Sequence, residues 1–89
     1  MTARIVAYDL MKEGQNYECL YKKLQEYDTH WHMQRSVWII VTGKSSKEIR
    51  NELSPCLDQN DKLFVGKLSG EAAWYGYGEK VTEWLKNNI

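Results

Sequence analysis

Eighty-nine residues leave room for one domain, residues 1–89, and for no second core. Lys plus Arg and Asp plus Glu balance at 12 each, so the net charge is zero and the basic excess of a dedicated nucleic-acid binder is missing. Charged residues at 27% and hydrophobic residues at 43% exclude a disordered chain.

Arg4 to Asp9 reads as a first strand, with Ile5, Ala7 and Asp9 on one face and Val6, Tyr8 and Leu10 on the other. Met11 to Gln15 is polar, contains Gly14 and reads as a loop, with Asn16 as N-cap of the next helix. Tyr17, Leu20, Tyr21, Leu24 and Tyr27 then recur at helical spacing. Asp28 and Thr29 break that pattern, and His30 to Gln34 is either irregular or the edge of a strand. Ser36 to Thr42 is a β-rich run with both faces apolar: Val37, Ile39 and Val41 on one, Trp38 and Ile40 on the other. Such a strand is central and covered on both sides, by helices on one face and by a partner chain on the other.

Gly43 and Lys44 turn the chain, and Ser45 followed by Glu48 is a capping box for a second helix with Ile49, Leu53, Cys56 and Leu57 inward. Pro55 ends the regular helix. Asp58 to Asp61 is a turn cluster and Lys62 to Leu68 the last strand. Ser69 to Gly78 carries three glycines, and a closing helix, Glu79 to Asn87, aligns Val81, Trp84 and Leu85. With His30 to Gln34 counted as a strand, the order is βαββαβ: an α+β, ferredoxin-like sandwich with a C-terminal helical extension. A chain this small buries only about two thirds of its unfolded surface, which makes a homodimer the expected state. Cys19 and Cys56 fit no metal or Cys-x-x-Cys spacing and are expected to be reduced thiols. The chain enters Arg4-Ile5-Val6 with no signal-peptide pattern and has no apolar run of membrane length, so a cytoplasmic protein without a membrane partner is expected.

An Asp at the end of a buried strand is ordinarily a turn or capping residue. Asp9 has a second reading, as a metal-binding carboxylate. One carboxylate does not make a hard-cation site, so that role needs a two-fold axis to bring up a second Asp9. His30 and His32, at i and i+2, are loop histidines or half of a metal site or base, with no third ligand in the neighbouring sequence. Arg4, Lys12, Arg35 and Lys44 are surface charges that could meet phosphate. Ser36 lies beside Arg35 with no partnered base, and is placed to hydrogen-bond a phosphate or the loop carrying Asp9. Trp74, Tyr75, Tyr77 and Trp84 fall within eleven residues. Together with Trp38 they are expected to cover the open sheet face and close the dimer interface. Recognition of an unknown protein partner comes second and base stacking third, because no basic residue interleaves with Trp74 to Gly78.

The stretch Ile5-Val6-Ala7-Tyr8-Asp9-Leu10, the amphipathic helix after it, Gln34-x-Ser36-Val37-Trp38, and Asp61 before a late hydrophobic strand follow one another in a set order. In these features residues 4 to 68 resemble the second core protein of the CRISPR adaptation machinery. They resemble still more its small SinR-type and VapD-type relatives, whose pattern Gly14-Gln15-Asn16-Tyr17 also follows. The resemblance implies a ferredoxin-like homodimer with paired Asp9 residues near its axis, and a Mg²⁺-dependent nuclease acting on RNA or DNA with Asp9 as catalytic metal ligand. In other members the fold is a scaffold, so the alternative is a non-catalytic dimeric module for a protein or nucleic acid.

Overall fold

The computed structural model describes residues 1–10 and 17–89. Its elements are β1 (Thr2–Asp9), α1 (Tyr17–Leu24), β2 (Thr29–Gln34), β3 (Val37–Thr42), α2 (Ser46–Leu53), β4 (Lys62–Lys67) and α3 (Glu79–Asn88). A 3₁₀ turn, Ser54–Cys56, follows α2 directly. Together they make a small α+β domain whose sheet has the order β2-β3-β1-β4, every neighbouring pair antiparallel. The expected loop Met11 to Gln15 and N-cap Asn16 lie outside the described residues.

Local chemistry explains most boundaries. Ser45 Oγ accepts from the Glu48 N–H at 3.1 Å and the Glu48 carboxylate accepts from the Ser45 N–H at 3.1 Å, so the capping box is closed. Pro55 sits in the 3₁₀ turn, where its missing N–H costs nothing. His30 to Gln34 does form a strand, because Thr29, His30 and Trp31 pair with Val41, Ile40 and Ile39 before a register shift toward Gln34. Gly70 and Gly76 take φ of 94° and 93°, a left-handed conformation that costs side-chain-bearing residues energy, and so turn the segment between β4 and α3.

Two cores flank the sheet. On one face Val6, Tyr8, Trp38 and Ile40 meet Leu20, Leu24, Ile49 and Leu53 of α1 and α2. Tyr27 belongs to this core although α1 ends three residues earlier; Tyr27 N–H donates to the Leu24 carbonyl at 3.4 Å as the chain leaves the helix. On the other face Ala3 and Ile39 pack against Leu85 of α3, with Trp31, Val41, Trp74, Val81 and Trp84 around them. The chain's own α3 therefore covers the second face of β3, where a partner chain was expected. Among the described residues, none covers the β1/β4 half of that face, where Phe64 is 64% exposed.

A further expectation is overturned. Cys19 and Cys56 are joined in a disulfide with Cα atoms 5.6 Å apart, and so are not reduced thiols. The reason is tertiary: α1 and the 3₁₀ turn cover the same sheet face and meet there. Among the described residues no helix is long and apolar enough to cross a membrane.

Candidate site at the end of the first strand

Asp9 is exposed at the last position of β1, opposite Lys62 of β4. The pairs Ile5–Gly66, Ala7–Phe64 and Asp9–Lys62 follow one another along the two strands, so the uncovered face runs from apolar to charged. A shallow cavity of about 260 Å³ opens there, lined by Ala7, Tyr8, Asp9, Lys62, Leu63 and Phe64. The Phe64 ring lies over Gly66, so close that a Cβ built on that glycine would stand 2.8 Å from the ring edge. Absence of a side chain at Gly66 is what lets the ring lie flat along the strand.

The strand end is held firmly. Tyr8 N–H donates to the Ser36 carbonyl at 3.0 Å, tying β1 to the turn between β2 and β3. On the core side the Tyr8 hydroxyl donates to the Arg35 carbonyl at 3.2 Å and accepts from Trp38 Nε1 at 3.2 Å. Burial, then a hydrogen bond with Tyr21, holds that phenol well above its ordinary range. His32 stacks on Trp38, rings 4.4 Å apart and 12° from parallel, and Tyr21 meets the His32 ring edge-on at 5.0 Å. His32 Nε2 lies 3.1 Å from the Arg35 carbonyl, a separation at which a protonated Nε2 donates. Asp9 thus projects from a strand end whose far side is an aromatic block.

The basic residues expected to meet phosphate do not gather in one place. Arg35 and Ser36 lie at the Asp9 end through the contacts just given. Arg4 lies at the other end of the sheet, donating from Nε to the Lys44 carbonyl at 2.9 Å and from Nη1 to Ser46 Oγ at 3.2 Å. Lys12 is outside the described residues. Among the described residues no group of three or more His, Cys, Asp or Glu side chains could hold a metal ion. Asp9 offers one carboxylate, and its cross-strand neighbour is a cation.

The aromatic residues also separate. Trp38 is 2% exposed beneath α1, inside the chain's own core. Trp74 donates from Nε1 to Thr82 Oγ1 at 3.0 Å, the Tyr77 hydroxyl accepts from Gln34 Nε2 at 3.0 Å, and Trp84 meets Trp31 edge-on at 5.7 Å. These three fold back onto the sheet. Tyr75 is left 97% exposed.

Glu52 escaped sequence reasoning. Its carboxylate accepts from the Tyr27 hydroxyl and from Lys44 Nζ, each at 2.5 Å, while Lys23 Nζ donates to its backbone carbonyl at 3.0 Å. Lys44 first, then Tyr27, hold the Glu52 carboxyl below its ordinary value. No short-range spacing links residues 23, 27, 44 and 52, so nothing local signals the cluster. No model of a known protein family matches the chain, and no solved structure matches it.

Proposed function

We propose that the chain works as a ferredoxin-like homodimer which joins the open β1/β4 faces of two copies and cuts phosphodiesters of RNA or DNA with Mg²⁺ between two Asp9 carboxylates. The strand order β2-β3-β1-β4, with α1 after β1 and α2 after β3, supports the ferredoxin-like reading. The observation that carries the proposal is that Asp9 shares its uncovered face with Ile5, Ala7 and Phe64. A second copy drawn onto the apolar part brings its own Asp9 to the charged end. Lys62 and Lys67 lie on the outer strand, where lysines discourage edge-to-edge pairing, so contact through the face is favoured.

One chain's donors do not suit Mg²⁺, which needs several oxygen ligands; two copies supply two carboxylates and leave the remaining positions to water and phosphate. Bound Mg²⁺ would neutralise phosphate charge and acidify a water. Lys62 stands beside Asp9 to meet the phosphate, and the packed Phe64 rings exclude bulk water.

The test is cleavage of labelled single- and double-stranded RNA and DNA by wild type and Asp9→Ala, with Mg²⁺ or Mn²⁺ and with chelator. Metal-dependent cutting that disappears in Asp9→Ala is expected. Cutting that survives the substitution, or none at all, leaves the second reading, a non-catalytic dimeric binding module. That reading draws on the position of Lys62 directly opposite Asp9 in the strand register, which sets a cation against the single acid. In a dimer structure, Asp9 carboxylates within about 4–6 Å favour the enzyme.

A further inference from the structure

A second cavity, of about 250 Å³, opens beside the outer strand β2 and is lined by His30, Trp31, Lys80, Val81 and Trp84. We propose that it is a stacking site for one base of a single-stranded nucleic acid, with Lys80 meeting the adjoining phosphate. The proposal rests on the nucleic-acid reading above and narrows its substrate class to single strands.

Trp31 and Trp84 are only partly buried and stand edge-to-face, 5.7 Å between ring centres. They therefore leave aromatic surface facing the cavity, and every base offers a π-face to such a wall. Lys80 lies one helical turn before Trp84, on the same side of α3, so the cation and the ring reach one ligand together. The acids of α3 lie elsewhere: Glu79 and Glu83 line a separate hollow with Tyr77, Gly78 and Thr82. Among the described residues that line the tryptophan cavity, Lys80 is the charged one, which suits a phosphate and disfavours a cationic ligand. The wide aromatic walls favour an unstacked base over a duplex, whose bases present only their edges.

Trp31 pairs with Ile39, which pairs with Ile5, four residues from Asp9. Strand geometry then sets the Trp31 and Asp9 backbones roughly 16 Å apart. A change at one need not disturb the other.

The experiment titrates Asp9→Ala protein in chelator, where cutting plays no part, with a single-stranded oligothymidylate. It follows quenching of tryptophan fluorescence and repeats the titration over a range of salt. Quenching is expected, with binding at least roughly tenfold weaker in Trp84→Leu. In Lys80→Gln, whose exposed side chain can change without harm to the fold, weaker binding is expected together with a salt slope smaller by about 0.7, one phosphate contact. Unchanged affinity and slope in Lys80→Gln overturns the proposal, whatever becomes of Trp84→Leu folding. So does a duplex bound as tightly as the single strand, or thymidine monophosphate competing as well as the strand. Mg²⁺-dependent cutting by wild type that Lys80→Gln leaves intact, without cavity-dependent binding, sinks this site and spares the Asp9 reading. Cavity-dependent binding without cutting does the reverse.

Discussion

Replacing the Tyr8 hydroxyl with hydrogen strips two partners at once, because that oxygen both accepts from Trp38 Nε1 and donates to the Arg35 carbonyl. Trp38 is 2% exposed, so its indole N–H finds no water when Tyr8 is lost. Tyr8→Phe should cost about 1–3 kcal/mol, the range for a buried donor left unpaired, read as a lower urea midpoint at unchanged slope. An unchanged midpoint would mean that the aromatic block tolerates an unpaired indole. The same phenol sets a pH dependence. Burial holds Tyr8 and Tyr27 above the ordinary phenol range, helped at Tyr8 by Tyr21 and at Tyr27 by Glu52. Unfolded tyrosines lose their protons near about pH 10 while the folded ones keep theirs. Stability is therefore fully present below about pH 10 and falls as pH rises beyond it. Urea midpoints between about pH 8 and about pH 11 should show that fall, and Tyr8→Phe should flatten it; equal slopes in both proteins would remove Tyr8 as its source.

At the scale of elements, α1 has only eight residues, too few to persist as an isolated helix. Leu20 and Leu24 bury it, Lys23 ties it to the Glu52 carbonyl, and the Cys19–Cys56 disulfide fastens it to the end of α2. With a sequence separation of 37, that bond removes chain entropy worth about 4 kcal/mol from the unfolded state. A dithiol reductant should lower the thermal midpoint clearly, and Cys56→Ser should melt at the reduced midpoint whether or not reductant is present. Identical melts for wild type with and without reductant would show that the bond does not bear on stability. The contrast with α2 explains what the chain made legible. Ser45 and Glu48 are three residues apart and their capping box is complete in local sequence. Cys19 and Cys56 meet only because α1 and the 3₁₀ turn cover one sheet face, and no spacing rule reaches across that distance. The Glu52 cluster was hidden for the same reason.

Across the whole molecule, the continuous apolar run of β3, apolar on both faces, correctly marked a central strand, since each face of a strand reports its own burial. It could not say what does the burying, and α3 takes the place expected of a second copy. The face left over among the described residues is β1/β4, where Ile5 and Ala7 are half-buried and Phe64 is 64% exposed over Gly66. A stable interface needs about 800 Å² from each partner, and the aromatic ring at the middle of the patch is the natural anchor for one. Phe64→Asp should leave the fold intact, because the side chain makes little of its own core. It should also set like charges against each other across the proposed axis. Sedimentation should find wild type as a dimer and Phe64→Asp as a monomer with unaltered far-ultraviolet circular dichroism. Any Mg²⁺-dependent cutting should fall with the dimer, since one copy brings one Asp9. Wild type that sediments as a monomer at every concentration would take away the second carboxylate, and with it the metal centre proposed at Asp9. A dimer that survives Phe64→Asp would move the axis off this face and part the two Asp9 side chains.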